Sequence, residues 1–397
     1  MDMPCGQEKK CIFVPDMSEL VIQTVRGKRE MGRFVRFNAT LYRDCPWAVP
    51  NFFEDTMMTF SKKDNAAFDF CRAEWFLAKR DGKIVGRVAA IINDRANERW
   101  QRRCVRFGWI DFIDDEEVSR ALLDAVAAWG RERGMTEMHG PLGFTDMDPE
   151  GMLVEGFEEL GTVATIYNYP YYVTHMEHYG MEKETDWVQQ VVRVPDRGEK
   201  SWERYLKVAD IANKRYGLKV HKFNSKKEIW DGGYDYKFFD TINRSFSGLF
   251  GYSEMTERQM RSYARQYLRF LDLRLLSIIE NRDGEVVAVA AGMPSLSHAM
   301  QKAHGKLFPW GWRHLAKTLY WKHGDTVDLL LIGSCPEYHD KGAVALIFAD
   351  LLDGLEEMGF KWAEVHPQLE TNTRGLGVWH VFDSRIHKRR RAWKKEI

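Results

Sequence analysis

Residues 333–344 read GSCPEYHDKGAV and contain the strongest structural signal in the sequence. It follows the apolar run 328–332 (DLLLI), which is typical of a buried strand, and it leads into apolar residues at helical spacing. A strand that passes through a glycine-containing turn into a helix leaves backbone N–H groups unpaired at the helix N-terminus. Those groups and the positive end of the helix dipole favour a phosphate, and Lys341 adds positive charge beside them. The stretch therefore predicts a phosphate-binding loop.

The elements around this loop occur twice along the chain in the same order, which is the signature of an internal repeat. Each copy has a leading strand, a helix, an Asp-Gly hairpin, a second helix that stops at a glycine, and a short strand that ends at a proline. The pieces, first copy and then second, are the leading strands (20–25 and 218–223), the helices after them (28–42 and 226–246), the hairpins (76–86 and 278–288), the second helices (117–133 and 343–358) and the closing prolines (Pro141 and Pro367).

A chain of 397 residues is too long for one ordinary domain, and the repeat predicts how it divides. A polar break at residues 194–198 follows the apolar strand 187–192. We predict an N-terminal tail over residues 1–17, a first unit over 18–195 and a second unit over 200–397. Alternating strands and helices predict an α/β fold of two tandem units, each a twisted mixed sheet with helices on both faces.

Composition excludes several classes of partner. The 58 basic residues balance 58 acidic ones, so the whole chain has no net attraction to nucleic acid or acidic lipid. No run approaches the roughly 18 apolar residues of a membrane span, and the N-terminus lacks the apolar core of a signal peptide. The six cysteines are scattered without a Cys-x-x-Cys pair, which suits a reducing compartment and gives no zinc signal. We expect a cytoplasmic protein without stable membrane insertion.

The loop resembles the pyrophosphate-binding loop of the GNAT superfamily of acyl-CoA-dependent N-acyltransferases. Pro336, Tyr338, Lys341 and Gly342 stand where that pattern has its proline, aromatic, basic and first glycine residues, while His339 and Val344 depart from it. The resemblance implies acetyl-CoA or another acyl-CoA as a substrate, with no metal. It also implies a strand-end asparagine, found here as Asn372. The residues expected to contact the cofactor are Ile332, Ser334, His339, Asp340, Lys341, Gly342, Ala343, Val344 and Asn372.

More narrowly, the chain is similar to an uncharacterised group with two GNAT-like units in tandem. Residues 140–151, 167–172 and 305–311 carry that similarity, which covers nearly everything from about residue 20 onward. The first unit has acidic residues, 111–117 (DFIDDEE), where its loop should be, and these would repel a pyrophosphate. We expect the first unit to lack a CoA site and to wall part of the acceptor cleft.

The resemblance also implies the chemistry that the site must perform. The acceptor amine needs a base, and Glu364, His366 and Glu370 are the candidates, although each equally fits an exposed polar residue at a strand end. Backbone near Ser334 is expected to polarise the thioester carbonyl. The family often has a tyrosine seven residues after its asparagine as the proton donor to the thiolate. Trp379 stands there instead, so Tyr338, His380 or water takes that role.

Four further segments have two interpretations each. The aromatic run 167–172 lines a substrate pocket or begins a helix that packs on the core. Residues 307–312 (LFPWGW), inside the long connection 294–325, form a lid over an apolar substrate or dock against the first unit. The basic close, 387–395, is a solvated edge strand or faces a phosphate. Asp146, Asp148 and Glu150 resemble the start of a calcium loop, but Phe157 stands where its last ligand is needed, so we predict a capped turn and no metal.

These observations lead to three functional hypotheses. The first is an N-acyltransferase that moves an acyl group from acyl-CoA to an unknown amine, with CoA bound in the second unit. The second is a non-catalytic acyl-CoA-binding or scaffold protein, motivated by Trp379, His339 and Val344. The third is a long-chain acyltransferase that acts on a lipid-like amine, motivated by the aromatic insertion. Two units in one chain satisfy the pairing common among such domains, so a monomer is favoured over a homodimer.

Overall fold

The computed structural model describes residues 19–397, so the predicted tail 1–17 lies outside the described residues. The strands are β1 (Leu20–Thr24), β2 (Cys71–Arg80), β3 (Lys83–Asn93), β4 (Cys104–Phe112), β5 (Glu137–Gly140), β6 (Met152–Glu155), β7 (Glu182–Arg193), β8 (Lys219–Val220), β9 (Leu276–Glu280), β10 (Val286–Pro294), β11 (Thr326–Ser334), β12 (Trp362–Val365), β13 (Gln368–Leu369) and β14 (Ser384–Glu396). The helices are α1 (Gly27–Leu41), α2 (Phe53–Thr59), α3 (Asp94–Arg99), α4 (Glu116–Arg131), α5 (Tyr171–His178), α6 (Lys200–Tyr216), α7 (Lys226–Asp231), α8 (Tyr234–Phe246), α9 (Glu257–Tyr267), α10 (Ser297–Ala303), α11 (Trp312–Tyr320), α12 (Ala343–Glu357) and α13 (Thr373–Gly377).

Within the described residues, the strands form one fourteen-stranded sheet. Its order is β1-β2-β3-β4-β5-β14-β7-β12-β11-β10-β9-β8, with β6 paired to β14 and β13 paired to β7. Most neighbours are antiparallel, but β4 pairs with β5, and β11 with β12, in parallel. Each half of the sheet therefore repeats the same arrangement, an antiparallel run that ends in one parallel pair.

The two halves of the chain exchange their last strands. β7, the last strand of the first half, pairs with β12 of the second half. β14, the last strand of the second half, pairs with β5 of the first half and along most of its length with β7. The exchange joins the two halves into one continuous sheet.

The exchange corrects the interpretation of the basic close. Residues 387–395 were expected to form an edge strand, but β14 lies between β5 and β7 in the middle of the sheet. Lys388 and Arg390, which lie on the same face of β14, are each only 1% exposed. The basic residues suggested a strand exposed to solvent, whereas in the fold these cationic side chains are buried with their partners.

Helices cover both faces of the sheet, as predicted for the fold class. In the first half, α4 packs on one face and α1 with α2 lies over the other. In the second half, α8 and α9 cover one face, while α12 covers the opposite one. The hydrophobic spacing that predicted the helices 117–133 and 343–358 thus marks the buried faces of α4 and α12.

Two helical details differ from the prediction. The helix expected over 226–246 is broken at Gly232 and Gly233 into α7 and α8, and Gly233 has a φ of 67° that interrupts an α-helix. Helix α6 was not predicted at all. It begins directly after the break between the units and packs along α12 through Tyr205 and Ala212.

Candidate functional site

In the second half, the parallel pair β11 and β12 separates before β11 ends. The paired register runs from Thr326 opposite Trp362 to Leu329 opposite Val365. A register shift in the neighbouring β10–β11 ladder marks a bulge at this same level. β11 then continues alone on this side to Ser334, so a gap opens between the two strands. The predicted phosphate loop begins where β11 ends.

The loop leads into α12 as the sequence predicted. Residues Pro336–Lys341 form a 3₁₀ turn, and Gly342 adopts a left-handed φ of 79° before α12 starts at Ala343. No side chain of the described residues caps the first turn of α12. The N–H groups of that turn therefore remain available to a ligand.

Side chains of the loop stabilise its conformation. His339 Nε2 lies 2.9 Å from the carbonyl oxygen of Ser334, so the imidazole links the turn back to the end of β11. The hydroxyl of Tyr338 accepts a hydrogen bond of 3.0 Å from Asn281 Nδ2, and the Lys341 ammonium lies 4.5 Å from the centre of the Tyr338 ring. Asp340 pairs with Arg374 at 2.8 Å. The departure at His339 thus has a local structural role.

Gly342 is required for a different reason from the one the sequence suggested. A Cβ atom at this position would lie 3.0 Å from Cβ of Ala212 and 3.4 Å from Cγ1 of Val208, both on α6. The positive φ adds backbone strain for any other residue. Replacing Gly342 would therefore disturb the packing of α6 before it reported on phosphate binding.

The corresponding end of α4 in the first half carries its own anions. Asp115 Oδ1 accepts hydrogen bonds from the N–H groups of Glu117 and Val118 at 3.0 and 3.4 Å. Arg80 pairs with both Asp115 and Glu117. An added phosphate would have to compete with these carboxylates, so α12 is the better of the two helix termini for pyrophosphate.

Glu364 is the centre of a buried polar cluster on the sheet. Its Oε1 accepts hydrogen bonds from Gln189 Nε2 at 2.7 Å, His387 Nε2 at 2.8 Å and Lys388 Nζ at 2.9 Å. Burial alone would raise the pKa of Glu364, but the His387 hydrogen bond and the Lys388 charge lower it overall. A carboxylate held by three donors is a weak proton acceptor, so Glu364 orients its neighbours.

Asp328 lies beside this cluster and was not among the predicted site residues. It is the register partner of Glu364 on β11 and is 3% exposed. Its side-chain oxygens have no close hydrogen-bond donor within residues 19–397, although the Ser295 hydroxyl and the charge of Lys388 both act to lower its pKa. Burial, and next the negative charge of Glu364, raise the pKa of Asp328 to about 7. A carboxylate that titrates near neutral pH suits a general base, and it stands one residue before the strands separate.

His366 lies where β12 leaves β11. Its backbone N–H donates to the carbonyl of Leu329 at 3.1 Å, the last contact before the gap. Burial and the nearby charge of Arg390 lower the pKa of His366 to about 4, which keeps the imidazole neutral at physiological pH. A base this weak accepts a proton less readily than Asp328 does. His366 and Glu364, both predicted, thus lie near Asp328.

The remaining predicted residues lie apart from this cluster. Glu370 pairs with Lys183 at 2.6 Å and with Arg389 at 3.4 Å. His380 is exposed, and Asn372 caps α13 by accepting a hydrogen bond of 3.0 Å from the N–H of Gly375. Ile332 and Ser334 are on β11 as expected, but the Ser334 N–H donates to Ser245 Oγ at 2.9 Å. It is therefore not free to polarise a carbonyl.

A cavity of about 750 Å³ lies in the first half, beside the end of β4. Its walls come from α1 and the loop after it, from β4, and from the loops around residues 141–152 and 165–168. Gln301, His304 and Lys306 of the second half complete the lining. Ala48, Val49, Ile110 and Met152 make much of the wall apolar. The volume is in the range of cavities that hold small molecules and cofactors.

The polar floor of this cavity is a buried network centred on Asp111. Arg87 pairs with Asp111 at 2.6 Å, and Asn38 and the Tyr42 hydroxyl donate to the same carboxylate at 3.1 Å. The Tyr42 and Tyr172 hydroxyls lie 2.7 Å apart. Of the aromatic run 167–172, Tyr172 thus both begins α5 and faces the cavity, so the two interpretations of that run are compatible.

Ile166 links the cavity wall to strand β14. Arg390 donates a hydrogen bond to the carbonyl of Ile166, which lines the cavity, and Arg390 is the cation that lowers the pKa of His366. One arginine thus separates the cavity from the cluster beside the β11–β12 gap.

The long connection between β10 and β11 is only partly docked. α10 packs against the first half through Ala299 and Met300, which contact Val49 and Phe52. Gln301 Nε2 donates to the carbonyls of Pro46 and Ala48 at 2.7 and 3.0 Å. The aromatic residues after α10 remain exposed. Of residues 307–312, Leu307 packs into the same apolar cluster whereas Phe308, Trp310 and Trp312 are exposed, so docking and the lid both stay predictions for this segment.

Asp146, Asp148 and Glu150 form a second group of perturbed carboxylates. Burial raises the pKa of Asp146 and of Asp148 to about 6, and it raises the pKa of Glu150 further. Asp146 accepts a hydrogen bond of 3.1 Å from the N–H of Ser253, and Asp148 accepts one of 3.1 Å from Thr145. The Asp146 bond joins the two halves, whereas the Asp148 bond closes a local turn in the first half. Among residues 19–397 no group of acidic, His or Cys side chains is arranged to hold a metal ion.

Comparison with solved structures identifies the fold. A tandem GNAT protein from the clavulanic acid biosynthesis pathway matches with a TM-score of 0.53 and 12% identity, over 95% of this chain and 98% of that one. A glucosamine N-acetyltransferase region of a fungal β-N-acetylglucosaminidase also matches with a TM-score of 0.53 and 12% identity, over 95% of this chain and 38% of that one. The fold is that of the GNAT superfamily.

Two relatives resemble this GNAT-fold chain in sequence over most of its length. Protein YghO of Escherichia coli is 26% identical over 386 residues, which is 95% of each chain. The bacterial ceramide synthase of Caulobacter vibrioides is 27% identical over 321 residues, which is 80% of each chain. No protein-family model matches the sequence. In the part of the chain that the structure describes, none of the helices combines the length and apolar character needed to cross a bilayer.

Proposed function

We propose that this protein is an acyl-CoA-dependent N-acyltransferase whose acceptor is a long-chain amine. The observation that carries the proposal is the cavity of the first half, which has apolar walls and a polar floor and whose lining residue Ile166 accepts a hydrogen bond from Arg390 of β14. The similarity to a ceramide synthase favours the same acceptor class. A ceramide is by definition the amide of a fatty acid with a long-chain amino alcohol.

The donor is proposed to bind in the second half. Its pyrophosphate would accept hydrogen bonds from the N–H groups at the start of α12, and Lys341 would add a screened attraction. The pantetheine arm would then extend into the gap between β11 and β12, which opens after Leu329 and Val365. This direction brings the thioester toward Asp328.

Starting from the ammonium form, the acceptor nitrogen must lose two protons, and the leaving group must gain one. Asp328, as the carboxylate, accepts the first proton from the ammonium form of the amine. The free amine nitrogen attacks the thioester carbonyl carbon, forming the C–N bond, and the C–S bond breaks to release CoA thiolate. The nitrogen's second proton passes through water to the thiolate, which leaves as the CoA thiol, and protonated Asp328 returns the first proton to solvent. Glu364 holds Lys388 and His387 in place beside this site.

One specific observation favours the non-catalytic alternative. Trp379 stands where the family often has its proton-donating tyrosine, is 2% exposed, and uses its indole N–H to bond Gln368 Oε1 at 2.8 Å. It has no acidic proton to offer a thiolate. If water cannot replace that donor, the second half would bind acyl-CoA without turning it over.

Turnover with a panel of amines and acyl donors tests the proposal. Purified protein is mixed with acetyl-CoA or palmitoyl-CoA and with short amines or long-chain amino alcohols, and CoA release is measured with and without the amine. We expect acceptor-dependent release to be much faster with long-chain amines than with short ones, together with an N-acyl product detected by mass spectrometry. CoA binding without any acceptor-dependent release would instead favour the binding protein.

A further inference from the structure

The segment after α10 exposes an unusual set of aromatic side chains. Phe308, Trp310 and Trp321 are 72%, 64% and 74% exposed, and Trp312 and Tyr320 are also on the surface. All five lie within the turn before α11, α11 itself and the residue after it. Soluble proteins seldom expose so many large apolar groups together without a partner for them.

Helix α11 is amphipathic, and the exposed aromatic side chains lie away from its buried face. Leu315 is buried and Leu319 is partly buried, and both pack into the cluster that docks α10 against the first half. The exposed aromatic residues lie on other sides of the same helix and at its two ends. α11 is thus held to the body by one face only.

Basic residues are interleaved with the aromatic ones, and acidic residues are missing. The sequence has no Asp or Glu between Glu285 and Asp325, although the whole chain has equal numbers of acidic and basic residues. The exposed basic residues of this stretch are Lys302, Lys306, Arg313, Lys317 and Lys322. The Arg313 guanidinium lies 5.0 Å from the centre of the Trp310 ring. Although the whole chain has no net charge, the exposed surface of this stretch is therefore positively charged.

We propose that this aromatic–basic surface, formed by the five aromatic and five basic residues named above, docks the protein on an anionic phospholipid bilayer. Trp and Tyr side chains favour the headgroup level of a bilayer, where an apolar ring and a polar edge are both satisfied. Lysine and arginine among them attract anionic headgroups near the membrane surface. The bilayer is chosen over a protein partner because the charge is of one sign and the rings protrude from a short helix.

The surface adjoins the cavity of the first half. Gln301, His304 and Lys306 line that cavity, and Lys306 is itself part of the aromatic–basic surface. Docking would therefore bring one wall of the cavity close to the headgroups. A long-chain amphiphile could then pass between the bilayer and the cavity without crossing bulk water. The docking proposal itself does not depend on which reaction the cavity serves.

Vesicle binding by the full-length protein tests the proposal. The protein is centrifuged with vesicles of phosphatidylcholine alone or of phosphatidylcholine mixed with phosphatidylglycerol. We expect binding to the anionic vesicles, little to the neutral ones, and weakening by added salt because screening reduces the headgroup attraction. Equal binding to both compositions, or to neither, would overturn the proposal. So would self-association through this surface without vesicle binding.

Matched variants locate the contact. Trp310→Ser combined with Trp321→Ser should lower the partition onto anionic vesicles by about tenfold or more, because buried ring area drives interfacial binding. Lys317→Glu should lower it by about tenfold through charge reversal. The controls are Ile211→Ser and Lys207→Glu, exposed positions on α6 that should bind like the wild type. If both controls weaken binding as much as the surface variants, the assignment is wrong. Unchanged acyl transfer to a soluble amine by the variants would separate this proposal from the proposed function.

Discussion

At the scale of single residues, the proposed reaction depends on Asp328, a buried carboxylate with no close hydrogen-bond donor among the described residues and with only Ser295 and the charge of Lys388 acting to lower its pKa. Its pKa of about 7 exceeds the value near 4 of an unfolded chain, so between those pH values the folded state holds a proton that the unfolded state has lost. The stability contribution of this group therefore falls as the pH rises from about 4 to about 7. Such a cost is typical of a residue kept for function.

Asp328→Asn tests that interpretation. At pH 8 the variant should be more stable than the wild type, by on the order of 2–4 kcal/mol, because a buried unpaired charge is removed. Its turnover should fall by about 100-fold or more, because the base is lost. Denaturant unfolding and initial rates measure the two effects. In the wild type, activity should fall as the pH drops below about 7, where Asp328 becomes protonated.

Glu364→Gln is the matched control for Asp328→Asn. It also removes a buried carboxylate, but it leaves Lys388 and His387 without their anion, so the variant should be less stable than the wild type. Full turnover by Asp328→Asn, or a loss of stability as large as that of Glu364→Gln, would remove Asp328 from the proposed mechanism.

The phosphate loop has its own residue-level test. Val344→Glu places a carboxylate in the first turn of α12, where negative charge stabilises the helix but repels a pyrophosphate. CoA affinity measured by calorimetry should fall by about tenfold or more, and Val344→Gln, of the same shape without the charge, should bind far better. Neutralising Asp114 and Asp115 in the first half should leave the affinity unchanged. The reverse pattern would mean that CoA binds at the end of α4.

At the scale of elements, the exchange of β7 and β14 makes the halves depend on each other. Ala392→Pro, in the middle of β14, removes a ladder hydrogen bond from a central strand. Hydrogen exchange should show faster exchange in both β5 and β12, which belong to different halves. Val21→Pro on the edge strand β1 is the control and should affect only its surroundings. Faster exchange confined to residues 200–397 would show that the halves are energetically separate.

The sequence predicted the elements whose signals are local and missed what depends on pairing across the chain. The loop 333–344, α12 and the repeat followed from periodicity and turn residues. By contrast, β14 was expected at an edge because its basic residues look solvated, whereas Lys388 finds Glu364 only after the strands exchange. Asp328 looked like an ordinary member of an apolar strand, since its isolation depends on burial and on its register with Glu364. Gly342 was predicted from the phosphate-loop pattern, whereas its close contact with α6 was not foreseen because α6 itself was not predicted.

At the scale of the whole molecule, we propose that the two halves bind different substrates. The second half offers the start of α12 and the β11–β12 gap to the donor, and the first half offers the cavity to the acceptor. Ala39→Trp tests the acceptor side, because Ala39 lines the cavity on an exposed position of α1 where a larger side chain disturbs no core. It should raise KM for a long-chain amine by about tenfold, a value typical of blocking part of an apolar pocket, and affect a short amine much less.

The most direct test of that claim is a set of initial rates over both substrates for the wild type, Val344→Glu and Ala39→Trp. The account predicts that Val344→Glu raises KM for the acyl-CoA and leaves KM for the long-chain amine unchanged, while Ala39→Trp does the opposite. If Ala39→Trp instead raises KM for the acyl-CoA, the cavity of the first half holds the donor, and the division of labour proposed for the two halves is wrong.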